Sequence, residues 1–311
     1  MAGAVVVLVF HGIGTYRDKF GTKKSFDRPL WDGLYRRMGE VLEKDVIWAP
    51  VLWSLEDLEA YQKDLIKERK DWKRLFGFVA SALADASAYQ MLALDHENRK
   101  GSNYYRVQRT VYGALRGAAA RAEALGHELD KTPILAVCQS MGCHILSSYA
   151  WDVRQHPERI FDEGEEVEYA SFATLENLAS AVFTGCNLPL LTAGIPVERK
   201  VPLRITRNSA KWGRAQRWLN FYDPDDVLGY PLEEEFAAYW GGRHPDQEQL
   251  LAERGRDPDA EVWVKDTEYE MRTVLGLPTP TGMSPFVHNE YWRSGEVLSA
   301  VEHAIRALLE R

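Results

Sequence analysis

The most constraining stretch of this 311-residue chain is a strand that has to become a helix with almost no loop between them. Pro133 precedes the apolar run Ile134 to Val137, and apolar residues at helical spacing take over from Met141 to about Val153. Only Cys138 to Gly142 remains for the turn. A buried strand feeding straight into a helix belongs to a parallel sheet, where each strand needs a crossover to reach its neighbour.

The rest of the chain repeats that alternation. Ala4 to Phe10 is a continuous Val-rich run, the pattern of a strand buried on both faces. Val46 to Trp53, Ala179 to Thr184 and Arg217 to Tyr222 read as further strands, and Glu261 to Lys265 as a candidate strand. Helices are expected from Pro29, since proline is tolerated in a first turn, from Tyr104 to Leu125, ended by Gly126, and over Gly295 to Leu309. From Leu55 to about Leu94 the pattern is helical with no strand signal, which predicts an insertion or cap over about 55–100. The expectation is one α/β domain over 1–311, a mostly parallel sheet flanked by helices, because length alone does not divide such a chain.

Charge and cysteines narrow the function classes. The formal net charge is -8, and Lys and Arg alternate with Asp and Glu, so no basic stripe suited to nucleic acid emerges. Leu75 to Leu94 is interrupted by Ser81, Asp85, Ser87 and Gln90, too polar for a spanning helix, so no integral membrane segment is expected. Cys138, Cys143 and Cys186 show neither disulfide nor zinc spacing, which fits a reducing compartment, the cytoplasm. The apolar start is too short for a signal-peptide core and runs directly into a loop motif. No metal or other cofactor is implied, and the sequence sets no oligomeric state.

Cys138-Gln139-Ser140-Met141-Gly142 matches G-x-S-x-G except at its first position, and its strand-turn-helix setting makes Ser140 the candidate nucleophile. A serine hydroxyl needs a base within hydrogen-bonding reach and a carboxylate to orient that base. Among later histidines, His144 lies one turn along the helix and His303 inside the last helix, both read as structural. His288 lies in a loop just before that helix and is the candidate base. The acid should sit at a late strand end, where Asp223, Asp225 and Asp226 follow Arg217 to Tyr222; any of the three can orient His288. His11-Gly12-Ile13-Gly14 ends the first strand, and its backbone N–H groups, with that of Met141, suit a developing oxyanion. A dinucleotide fingerprint fails there because Arg17 stands in the third glycine's place.

Together these residues resemble the α/β-hydrolase superfamily, and specifically its intracellular lipase- and esterase-like members with an H-G-x-G loop. In such proteins the acid loop reads Tyr-x-Pro-x-Asp-x-apolar-x-Tyr, and Tyr222 to Tyr230 overlies it, placing the acid at Asp226; a competing Asp-x-Val alignment gives Asp225. Gln139 before the serine and Cys138 in place of the first glycine depart from the family's usual pattern. The resemblance implies hydrolysis of a small-molecule carboxylic ester, lipid and thioesters included, through Ser140, His288 and Asp226, with Ile13, Gly14 and Met141 as the oxyanion hole. It leaves two alternatives: a serine acyltransferase using the same residues, and a non-catalytic protein of this fold that binds a ligand or partner.

Overall fold

The computed structural model describes residues 3–12, 26–53, 89, 99–196, 200–203, 205, 209–212, 216–237, 239, 264–269, 273–274, 277–278 and 287–310. Its order begins with β1 (Val5–Phe10), α1 (Arg28–Met38), α2 (Glu40–Lys44), β2 (Val46–Val51) and α3 (Asn103–Ala124). It continues with β3 (Ile134–Gln139), α4 (Met141–Gln155), β4 (Leu178–Thr184), the short α5 (Leu188–Leu191), β5 (Arg217–Tyr222), β6 (Val264–Glu268) and α6 (Gly295–Leu309).

The six strands form one sheet in the order β2-β1-β3-β4-β5-β6, every pairing parallel. This is the α/β architecture expected from the alternation of strands and helices. Because side chains alternate across a strand, Val5, Val7 and Val9 face one layer and Val6, Leu8 and Phe10 the other. The first layer is built by Leu30 and Leu34 of α1 with Val297, Val301 and Ile305 of α6. The second is built by Val111 and Leu115 of α3 with Ile145, Leu146 and Tyr149 of α4. A strand covered on both sides has no place for a polar side chain, which explains the unbroken Val run.

Register decides where chemistry can gather. Phe10 pairs with Cys138, Gln139 with Thr184, and Thr184 with Phe221, so β1, β3, β4 and β5 end along one edge of the sheet. The carboxyl ends of parallel strands are the usual site of ligands in open α/β sheets.

Two strands depart from expectation. β3 runs on through Gln139 because Cys138 and Gln139 still pair with Phe183 and Thr184. β6 is Val264–Glu268 rather than Glu261 to Lys265, and 261–263 lie outside the described residues. Its polar content is tied down locally. Asp266 accepts from the backbone N–H groups of Leu232 and Glu233 and from Asn220 Nδ2, bonds that an apolar count does not register. The expected cap over 55–100 lies outside the described residues apart from Tyr89 and 99–100. Among the described residues no helix is long and apolar enough to cross a membrane.

Candidate active site

Ser140 stands between β3 and α4 with φ 53° and ψ -122°, a conformation that L-residues rarely adopt and that costs on the order of 1–3 kcal/mol. The packing around it enforces the turn. Ser140 N–H donates to Thr184 O at 3.0 Å, and Thr184 Oγ1 returns a bond to Cys138 O at 3.1 Å, so β4 holds the turn from the side. Gly142 is required by close approach: a Cβ there would lie 2.7 Å from Phe10 Cβ and 2.8 Å from His11 O. The first turn of α4 is thereby pressed against the end of β1. Cys138 is fully buried, so the first motif position accepts a small side chain that packs into the core.

His288 reaches the same edge from a short 3₁₀ turn before α6. Its Nδ1 lies 2.8 Å and 3.0 Å from the two carboxylate oxygens of Asp226, in the loop after β5. Both side chains are at most 2% exposed. An ionised carboxylate only accepts, so Nδ1 carries the hydrogen and the Nε2 lone pair is left facing away from Asp226. Burial pushes the Asp226 carboxyl up. Hydrogen bonding and charge from His288, with bonds from Leu228 N–H and Tyr291 OH, outweigh it and hold the group below the usual carboxylate range.

Asp225 does not join this pair. It is exposed, and its N–H donates to Asp223 Oδ1 at 2.8 Å, so Asp223 shapes the turn that turns Asp226 inward. Ile13 and Gly14 lie outside the described residues; Met141, the first residue of α4, is buried beside Ser140.

Three contributors escape a reading of the sequence. Tyr291, one 3₁₀ turn after His288, donates its hydroxyl to Asp226 Oδ2 and accepts from Asp223 N–H, each at 2.9 Å. Gln139 Nε2 donates to His288 O at 2.6 Å, tying the histidine's backbone to the residue before Ser140. Gly185 has φ +52°, and a Cβ there would sit 3.0 Å from Asp226 Oδ2 and 3.1 Å from His288 Cε1. A buried tyrosine and a glycine after a strand look like ordinary core and turn residues, and Gln139 stands out in the sequence only as a departure from the usual motif, with nothing to point to His288.

Ser140 Oγ is buried and has no hydrogen-bond partner among the described residues, His288 included. Such links are often long in the free state and close when substrate binds. His11 plays a different part. Its ring stacks on Trp53 at 4.7 Å, its Nδ1 bonds Gly12 O at 2.7 Å, and Trp53 Nε1 donates to His11 O at 2.9 Å. Burial lowers its pKa to about 3 against a small upward pull from Gly12, so the ring stays neutral.

The six-stranded sheet is all parallel with helices on both faces, and a serine stands on a strained strand-to-helix turn after a central strand, the layout of a nucleophile elbow. The fold is that of an α/β-hydrolase. No family model matches the chain, and no curated protein matches it by sequence. Among solved structures it is similar to a "putative carboxylesterase" from Lactobacillus plantarum WCFS1, at 12% identity and a TM-score of 0.37, covering 87% of this chain and 76% of that one. It is also similar to an acetyl xylan esterase, at 11% identity and a TM-score of 0.36, covering 99% and 100%. Within this fold, helix α4 and the loops after β4 and β5 lie at the edge that carries Ser140, Asp226 and His288.

Proposed function

We propose that this chain is a serine hydrolase of carboxylic esters, with Ser140 as nucleophile, His288 as general base and acid, and Asp226 as the group that orients and stabilises the imidazole. The observation that carries this reading is the buried bond from His288 Nδ1 to Asp226 on the strand edge where Ser140 stands strained at its turn. That bond selects the tautomer whose Nε2 can take the serine's proton.

In the proposed cycle Ser140 Oγ attacks the ester carbonyl as its proton passes to His288 Nε2. The new imidazolium is stabilised by Asp226, whose lowered pKa keeps it ionised. The oxyanion is assigned to the N–H groups of Met141, Ile13 and Gly14; the amides of a helix's first turn lack partners within the helix and suit such a charge. The tetrahedral species collapses, the alkoxide or thiolate leaves with the proton from His288, and an acyl-enzyme forms on Ser140. Water deprotonated by His288 then releases the acid and restores the serine.

Cys138, Cys143 and Cys186 are buried free thiols, which supports a reducing compartment, and we infer the cytoplasm. The deciding experiment is labelling with a fluorophosphonate probe alongside turnover of p-nitrophenyl esters, in the parent and in Ser140→Ala. Labelling and turnover should both vanish in the variant; equal labelling in the two proteins removes Ser140 as the nucleophile.

A further inference from the structure

A groove runs down the flank of α4, beginning one helical turn beyond Ser140. Its upper part has a volume of about 340 Å³, within the range of small-molecule sites. A second hollow of about 230 Å³ continues it toward Gln155, and the two share Ser147, Trp151 and Val201.

Both walls of this groove begin a few residues along the chain from the active-site edge. One is α4, whose His144 lies a single turn past Ser140. The other starts at Leu188, three residues beyond the Gly185 that packs against His288 and Asp226. Two buried polar atoms, Nδ1 of His144 in the lining and Oδ1 of Asn187, the residue before Leu188, have no hydrogen-bond partner among the described residues.

The chemistry of the lining selects an apolar occupant. Leu188 and Phe236 are buried in the floor, while Trp151 and Ile195 at the rim remain 41% and 44% exposed. Two large apolar side chains thus stand half in water around one hollow. The charged side chains in the lining of the upper part are paired: Arg159 with Asp152 at 3.1 Å, and Lys200 with Glu235 at 2.6 Å. An additional ion would find its counter-charges engaged, whereas a hydrocarbon chain would cover the exposed rim.

Resting on the reading of Ser140 as nucleophile, we propose that this groove holds the apolar acyl chain of the ester, leading from the carbonyl at Ser140 past His144 and Leu188 to Trp151. The stretch from His144 to Trp151 spans about 10 Å at the helical rise, which makes a medium-length acyl group the preferred substrate over acetyl.

The test compares kcat/KM for p-nitrophenyl decanoate and p-nitrophenyl acetate in the parent, in Ser147→Phe, which fills the groove, and in Trp151→Ala, which strips its rim. The ratio of the two values is unaffected by a partial loss of folded enzyme. The parent should favour decanoate about ten-fold or more, and the ratio should fall about ten-fold in Ser147→Phe and to a lesser extent in Trp151→Ala. A fluorophosphonate-reactive Ser140 with the same ratio in all three proteins overturns the groove assignment alone. Absence of both labelling and turnover overturns the hydrolase reading instead. Calorimetric titration of decanoate then decides the groove separately: binding lost in Ser147→Phe sustains it, and no binding to the parent removes it.

Discussion

His288 donates through Nδ1 to the carboxylate of Asp226 at 2.8 Å, with both side chains at most 2% exposed. At that burial the bond fixes both the direction of the ring and the nitrogen that carries its hydrogen. An asparagine at 226 would present an N–H and reverse the tautomer, so Asp226→Asn should lower kcat by about 10⁴ with little change in fold. Asp225 is exposed, and Asp225→Asn should stay within about two-fold of the parent, as surface substitutions do. Steady-state ester hydrolysis by the two variants decides the matter. Equal, mild effects would mean that neither aspartate orients the histidine.

Tyr291 supplies a third bond to Asp226 and at the same time accepts the N–H of Asp223. Asp226 has a lowered carboxyl pKa, so its contribution to stability is present above the unfolded value of about 3.9 and is lost as pH falls through the folded one. Removing the phenol raises that folded pKa. Tyr291→Phe should therefore cost about 1–3 kcal/mol at pH 7 in urea melts, since two buried groups lose a partner, and should move acid unfolding to higher pH. An unchanged acid midpoint would remove Tyr291 from this role.

The parts of this edge legible in the sequence are those with a local cause. The turn at Ser140 announces itself because an apolar run changes to helical spacing within five residues, and β1 because burial on two faces leaves an unbroken Val run. Chain order points to His288 and to the aspartates after β5, but their spacing does not choose among three neighbours. The choice is made by the Asp223 turn and by Tyr291, contacts 2 to 68 residues apart in sequence. The β6 boundary is hidden for a related reason: Asp266 is held by backbone amides from another loop, so a polar side chain sits inside a strand.

Gly142 is where the elbow meets β1. A methyl group at 142 would fall below 3 Å from Phe10 Cβ, His11 O and Phe10 O, two of them backbone atoms that cannot move alone. Gly142→Ala should therefore destabilise the protein by roughly 1–3 kcal/mol, the usual cost of overpacking, and should lower ester turnover by displacing Ser140. Urea midpoints and kcat measured together test this. Parent-like values for both would mean that α4 does not need this close approach.

His11 offers a test through pH. Its folded pKa of about 3 lies below the ordinary histidine value of 6.5, because the ring is buried between Trp53 and Phe26. On acidification the unfolded chain takes up the proton first. The stability held above about pH 6.5 is therefore lost progressively as pH falls toward the folded value. Between pH 7.5 and 5 this amounts to about 2 kcal/mol, at 1.36 kcal/mol per unit. His11→Leu abolishes that titration. The variant should be less stable at neutral pH, having lost the bond to Gly12 O, yet its stability should decline by about 2 kcal/mol less over the same interval. Urea unfolding at a series of pH values gives both slopes, and equal slopes would show that His11 is not held neutral in the folded protein.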